Sequence, residues 1–429
     1  MFYVLERSSQ LPAKFGDCFV RFIPKNNNFH PALTELSLVY IRPLDDKKGY
    51  IICLDHTESF GIDKIEVLDW LLEHTDKLWV LDKKEALHWV YPLSDKLFDA
   101  HLLDSINLTE VDNKCINYYY SRYTNLSNVN CLIPISKHYE ESEAIFTATL
   151  PIIQKYSLLN TQFQFQNFHT TNVFYQIEKN GVKVDKNCFI GFYKDKYQYP
   201  EFNLFKGKVY TQYNLNTTTT RPSNTFNGTN YAALNKDNGE RECYRPTNDS
   251  FIEMDFQGYH PRLIGEMVKF EFPKDRNTYE YLGEILGVSQ QEAKELTFKQ
   301  LYGGVWAEYV DKPFFKQVNM FIDDMWDEYQ YGKSYSTINK TFLPDKDITR
   351  NKLFNYVVQS TETSTNVELL ELVLKYLEDK KTKLVLYTYD AFLFDYAKED
   401  GNILQDIINI LEYPVSIKQG NTYHGLKKI

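Results

Sequence analysis

Lys383-Leu-Val-Leu-Tyr-Thr-Tyr-Asp390-Ala-Phe-Leu-Phe-Asp-Tyr396 reads as two apolar runs meeting at a polar kink, a β-hairpin with Asp390 at its bend. Another strand-like run, Phe251-Ile-Glu-Met-Asp255-Phe256, carries Asp255 near its end, 135 residues earlier. Two carboxylates at strand ends can face each other across one sheet and hold two Mg²⁺ ions about 3.5–4 Å apart. Such a pair activates an attacking oxygen and steadies a leaving one. A single Asp at a strand end is more often a turn cap or a solvated side chain, so weight has to come from what lies between the two.

Between them, Ser289-Gln-Gln-Glu292 has the form of a capping box that starts a helix at Gln290. Lys294, Phe298 and Tyr302 follow at intervals of four and so share one stripe, ended by Gly303 and Gly304. An ammonium followed by two aromatic rings suits a triphosphate and a stacked base. An isolated helix with this stripe is more often a core helix with a snorkelling lysine. The joint pattern shifts the balance.

The order of Asp255, the Lys294-Phe298-Tyr302 stripe and Asp390 resembles motifs A, B and C of the family-A DNA polymerases, the bacterial DNA polymerase I type. Motif A of that family reads Asp, four residues, Glu, one residue, Arg; here it is Asp255-Phe-Gln-Gly-Tyr-His260-Pro-Arg262. Motif B reads Lys, three residues, Phe, three residues, Tyr-Gly, and Lys294, Phe298, Tyr302 and Gly303 match it without a gap. Motif C, usually His-Asp-Glu between apolar strands, stands as Tyr389-Asp390-Ala391. Two further elements lie in order: Arg221 and Asn230 within a Thr/Asn-rich segment ahead of motif A, and Asn355-Tyr-Val-Val-Gln359 after motif B. The resemblance covers about residues 170 to 429 well and the first 115 only loosely.

The resemblance implies a template-directed DNA polymerase that extends a primer 3′ end with dNTPs. Asp255 and Asp390, with the Phe256 carbonyl, would bind two Mg²⁺ ions. Lys294 would meet the α-phosphate and protonate departing pyrophosphate. Phe298, His260 and Gly258 would border the nucleotide, and Tyr302 would stack at the templating position. Arg221, Asn230, Asn355 and Gln359 would touch the primer-template. Three departures stand out. His260 replaces a Glu that helps exclude ribonucleotides, Gln290 stands where an Arg usually grips the β/γ-phosphates unless Lys299 or another cation substitutes, and Ala391 replaces a secondary motif C Glu.

The implied fold is multidomain, α/β and α+β, with a right-hand arrangement behind a ribonuclease H-like, exonuclease-type domain. Its expected parts are 1–115, a degenerate 3′-5′ exonuclease-like domain; 116–215, a reduced thumb and connection; 216–265, the first part of the palm; 266–365, the fingers; and 366–429, the second part of the palm. In the first part, strand-like LSLVYIRPL, GYIICLD and LWVLD alternate with helix-like IDKIEVLDWLLEH, KKEALHWV and KLFDAHLLDSI, a sheet covered by helices. Ahead of IEKNGVKVD a helix is expected, ended near Gly181. No Asp-x-Glu, the start of a proofreading metal site, occurs in the first 130 residues. Proofreading is therefore expected to be absent.

At 429 residues, 43% hydrophobic, with 33 Tyr and 29 Phe, the chain can bury a large aromatic core. A net charge of -10 disfavours a protein that coats nucleic acid, although residues Glu178 to Arg245 hold eleven Lys or Arg against seven Asp or Glu. No apolar run reaches the ~20 residues of a membrane helix, so a cytoplasmic monomer without membrane contact is expected. Its host would be a bacterial cell if the chain is phage-encoded, and its compact parts imply a processivity factor as partner. Cys18, Cys53, Cys115, Cys131, Cys188 and Cys243 show no CxxC pair and read as free thiols. His30, His56, His74, His88, His101, His138, His169 and His424 show no metal-binding spacing and read as surface or satisfied core residues. The chain lacks GxxxxGK[ST], GxSxG and HExxH, which sets aside P-loop, α/β-hydrolase and zincin chemistry. The rival readings are a catalytically inactive polymerase-fold DNA-binding protein and a metal nuclease centred on the first domain.

Overall fold

The computed structural model describes residues 3–27, 30–106, 130–156, 158, 160–194, 204–224, 230, 234–273, 276–343 and 347–429. The chain forms two compact units, Met1–Gly181 with Tyr193–Gln212, and Val182–Phe192 with Tyr213–Ile429. This division is coarser than the five expected parts.

The first unit is built on six strands: β1 (Tyr3–Leu5), β2 (Gly16–Pro24), β3 (Leu36–Pro43), β4 (Tyr50–Cys53), β5 (Thr75–Val80) and β6 (Leu97–Asp99). Their order is β1-β4-β3-β2-β5-β6. The β2-β3-β4 meander is antiparallel, and β5 and β6 are added parallel to β2. Both faces are covered, which is why the strands read as near-continuous apolar runs. Cys18, Val20, Val39 and Ile41 join one core, with Trp70 and Leu71 of helix Lys64–His74. Phe19, Leu38 and Tyr40 point the other way, into a core with Ile145, Phe146 and Ile152 of helix Ile135–Lys155. Asp63 and Asp82 cap helices Lys64–His74 and Lys83–Val90 through their side chains.

One expectation needs correction. The KLFDAHLLDSI segment is not helical throughout, because Leu97–Asp99 forms β6 before helix Ala100–Ile106 begins. Leu97 and Phe98 face opposite cores, which suits a buried strand. The Asp99 carboxylate then accepts from the Leu102 N–H at 2.8 Å, turning the chain into the helix. The helix expected before Gly181 is present as Thr171–Glu178, and Gly181 has a φ of +58°.

The second unit is built on a five-stranded antiparallel sheet: β7 (Ser250–Phe256), β8 (Lys383–Thr388), β9 (Ala391–Tyr396), β10 (Val415–Gly420) and β11 (Lys427–Lys428), in the order β8-β9-β7-β10-β11. Helices Tyr259–Met267, Thr278–Leu286, Gln290–Gly303, Pro313–Gly332 and Arg350–Tyr376 share a core centred on Phe314, Leu353 and Phe354. The capping box is formed as read: Ser289 accepts from the Glu292 N–H and Glu292 reaches back to the Ser289 N–H. No helix among the described residues is long and apolar enough to cross a membrane.

The cysteine expectation is also corrected. Cys188 and Cys243 form a disulfide, while Cys18, Cys53 and Cys131 are free and Cys115 lies outside the described residues. The pair is 55 residues apart, with no local spacing to announce it. It is brought together by a Val184–Tyr244 bridge and by the Asp185 N–H donating to the Cys243 carbonyl at 2.8 Å.

In the first unit, Glu178 is fully buried, with the Lys84 ammonium at 2.7 Å and His88 Nε2 at 3.2 Å. Burial alone would raise its carboxyl, but Lys84 and His88 outweigh that and hold it at about 2. A carboxyl depressed on folding contributes stability that is present above its ordinary value near 4.5 and is lost as pH falls toward 2. Glu178→Gln strands a buried ammonium and should cost about 3–5 kcal/mol. Urea unfolding at pH 7 and pH 3 should show that penalty, together with a flatter acid dependence in the variant. Reducing the Cys188–Cys243 bridge should cost the second unit about 2–4 kcal/mol, read as a lower melting temperature in dithiothreitol that a Cys188→Ser/Cys243→Ser variant does not show.

Candidate functional site

Antiparallel register brings Asp255 and Asp390 to one end of one sheet. Asp255 pairs with Ala391 across β7 and β9, and the Phe256 N–H donates to the Asp390 carbonyl at 2.9 Å. The β8–β9 hairpin turns in two residues, Tyr389 and Asp390, between the paired Thr388 and Ala391. Tyr389 has a φ of +67°, a left-handed conformation that bulky side chains avoid. It is retained because neighbours hold it. The Tyr389 carbonyl accepts from Asn366 Nδ2 at 3.0 Å, and the Arg221 guanidinium lies 3.7 Å from the Tyr389 ring centre. Asn366 is itself fixed, accepting from the Tyr259 hydroxyl at 2.7 Å and donating to the Tyr387 hydroxyl at 3.1 Å.

The two carboxyls are electrostatically uncomfortable. Desolvation raises Asp255 above the usual range, opposed by Lys418 and reinforced by Glu253. Desolvation also raises Asp390, and the charges of Asp255 and Glu362 add to it. Two hard oxygen donors that repel each other at adjacent strand ends fit a divalent cation, which would relieve that repulsion. Lys418 on β10 meets part of the need, 3.5 Å from Asp255 and 2.6 Å from Glu253. Nothing in the motif spacing marked Lys418, because only strand pairing sets it opposite Glu253.

A cavity of about 470 Å³ is lined by Asp255, Phe256 and Lys294 among others. Gly258, also on its wall, has a φ of +61°, and a Cβ there would come within 2.7 Å of the Thr278 side chain. Gln290 lines the cavity too, and the second lysine on its wall is Lys428 rather than Lys299. The aromatic stripe is ordered: the Phe298 and Tyr302 rings stack at 5.8 Å, and Tyr279 of the preceding helix lies 6.3 Å from Phe298. Lys294 Nζ sits 5.8 Å from the Tyr279 ring.

His260 packs against this stripe, its ring centre 6.4 Å from that of Phe298 and 6.0 Å from that of Tyr302. Its Nδ1 is hydrogen-bonded to the Tyr302 hydroxyl, and its Nε2 lies 3.3 Å from Glu362. Glu362 also pairs with Arg221 Nε at 3.1 Å. Asn355, Gln359 and Glu362 fall on one face of helix Arg350–Tyr376, at intervals of four and three. Gln359 accepts from the Thr219 hydroxyl at 3.1 Å. The side-chain oxygens of Asn230 and Asn355 are buried without a hydrogen bond among the described residues. The residues named from sequence therefore divide into an acid pair at the sheet end, of which Asp255 lines the cavity with Lys294, an aromatic stripe with His260, and an amide-bearing helix face. Glu362, Lys418, Tyr279 and Asn366 were not foreseen.

His30, His88 and Glu178 in the first unit bring ligand atoms within 4.8 Å of one another. His30 is committed elsewhere, however, with Nδ1 accepting from the Ala32 N–H at 3.1 Å and Nε2 bonded to the Thr211 carbonyl at 3.0 Å. Lys84 already neutralises Glu178. These are satisfied core groups.

No protein-family model matches the sequence, and no curated protein matches it. Among solved structures, the chain is similar to the POL domain of Pol1 from M. smegmatis, solved in complex with DNA primer-template and dNTP. The TM-score is 0.68 at 12% identity, over 95% of this chain and 96% of the other. The chain has the fold of that polymerase domain.

Gly258→Ala imposes a left-handed alanine and a Cβ against Thr278, and it should cost about 1–3 kcal/mol. Thermal unfolding should show the loss, and adding Thr278→Ala, which removes the Oγ1 that the new Cβ would meet at 2.7 Å, should return part of it.

Proposed function

We propose that the chain is a template-directed DNA polymerase that extends a primer 3′ end with dNTPs and releases pyrophosphate. The observation that carries this reading is the meeting of Asp255 and Asp390 at one sheet end, with Asp255 and Lys294 lining one cavity. Carboxylates and an ammonium gathered at one site suit phosphoryl transfer, which is mostly positioning and charge neutralisation. The structural neighbour was solved with primer-template and dNTP, and its fold spans nearly the whole chain.

Asp255, Asp390 and the Phe256 carbonyl are the groups that would hold two Mg²⁺ ions. When bound, such ions lower the pKa of the attacking hydroxyl and offset charge on the phosphates. Lys294 Nζ would pair with the phosphates and offer a proton to the departing pyrophosphate oxygen. Gln290 gives that group no charge, and Lys428 on the same wall would supply the second cation. Phe298 would flank the nucleotide beside Gly258. Tyr302, anchored by His260, would stack at the templating position and narrow the space around the sugar. Arg221, Asn230, Asn355 and Gln359 would contact the primer-template near its terminus, and the amide oxygens of Asn230 and Asn355 have no hydrogen-bond partner among the described residues.

Within this reading, residues 216–265 and 366–429 form the palm, 266–365 the fingers and 116–215 a reduced thumb. Residues 1–115 form a ribonuclease H-like, degenerate exonuclease-type domain without proofreading, a reading supported by the antiparallel meander followed by two parallel strands in that stretch. On β2, the first strand of that meander, the single acid is Asp17, and Lys77 pairs with it at 3.3 Å. The protein would act as a monomer in the cytoplasm, with a processivity factor as partner.

Primer extension by the purified protein tests the reading. Mg²⁺-dependent extension is expected, and Asp390→Ala should reduce it by about a thousandfold or more while leaving primer-template binding largely intact. Binding without extension, in either Mg²⁺ or Mn²⁺, would favour an inactive DNA-binding protein. Shortening of a single-stranded 3′ end would favour a nuclease.

A further inference from the structure

Glu362 is fully buried in the middle of helix Arg350–Tyr376. A buried carboxylate costs several kcal/mol unless it is paired. Glu362 is paired with two side chains: Arg221 Nε lies 3.1 Å from one oxygen, while Arg221 Nη2 donates to the other at 3.4 Å, where His260 Nε2 also lies at 3.3 Å. Both partners are partly open to solvent, with side chains 26% and 17% exposed, while the carboxylate between them is fully buried. Each partner in turn holds an aromatic ring. Arg221 covers Tyr389, next to Asp390, and His260 is hydrogen-bonded to the Tyr302 hydroxyl.

The geometry points to Glu362 as a positioning residue that fixes the His260–Tyr302 wall, and through it the preference for deoxyribonucleotides over ribonucleotides. This rests on the polymerase reading above. The wall consists of two hydrogen-bonded rings with centroids 6.0 Å apart, and the Phe298 ring stacks behind Tyr302. An imidazole anchored at one nitrogen can swing about its Cβ, whereas one anchored at both cannot. Glu362 supplies the second anchor. A fixed wall excludes an added hydroxyl by steric cost, and a loose one yields to it.

Replacing Glu362 with Gln keeps the volume and an acceptor oxygen but removes the charge that binds both partners. Steady-state primer extension with dATP and with ATP, on the full chain, separates the possible effects. In Glu362→Gln the ratio of kcat/KM for dATP over ATP should fall about tenfold, the factor that roughly 1.4 kcal/mol of charged hydrogen bonding represents. The change should lie mainly in a lower KM for ATP, with kcat for dATP held. Glu362→Asp, which keeps the carboxylate, should restore part of the ratio. An unchanged ratio, or an equal loss on both nucleotides, overturns the proposal. If Glu362→Gln shows no cooperative melting, His260→Gln tests the same anchor from its exposed end. It should lower the ratio similarly, and an unaltered ratio there likewise overturns the role. Failure of the wild-type chain to extend a primer at all would remove the polymerase reading and this role together, and it is visible before any substitution is made.

Discussion

Everything at the site depends on one strand pairing. The six residue pairs from Ser250↔Tyr396 to Asp255↔Ala391 hold β7 against β9, and the Phe256 N–H closes the ladder on the Asp390 carbonyl. A slip of one residue would turn every side chain of β7 to the opposite face. Ile252 and Met254, now in the core, would trade places with Glu253 and Asp255. The cost of exposing those apolar groups and burying those acids is what fixes the register. The position of the carboxylates is thus a by-product of core packing, and no bond between them is needed to keep them together.

The groups around this pair form two tiers. Near the cavity stand Asp255, Lys294 and Gly258, which are open and chemically expressive. Asn366, Glu362 and Tyr259 are buried and do not line the cavity, and their contacts set backbone and ring positions. Burial makes these supporting interactions stiff, because an unpaired polar group in the interior is costly.

Much of the fold was legible in the sequence because period and punctuation agreed. The β8–β9 hairpin, strand β7, the capped helix from Gln290 and the Lys294-Phe298-Tyr302 stripe all stand where alternation and capping place them. Residues whose meaning depends on distant neighbours were not legible. Glu362 sits in a helix whose polar and apolar residues show little sidedness, so its burial against Arg221 and His260 left no mark. Lys418 gains its partner only through the β7–β10 pairing, and Cys188 meets Cys243 only after a 55-residue excursion. β6 hid because three buried residues running into a helix resemble the first turn of that helix.

The left-handed Tyr389 carries a further consequence for how the chain matures. Its conformation is unfavourable by about 1–3 kcal/mol on its own, and the groups that offset it, Arg221 and Asn366, come from 168 residues upstream and from another helix. An isolated hairpin in a nascent or half-assembled chain has neither. Asp390 is therefore held in its place beside Asp255 only once the surrounding elements have docked, and a partly folded molecule has no organised acid pair at the sheet end. The shape of that corner is thus a report that assembly is complete.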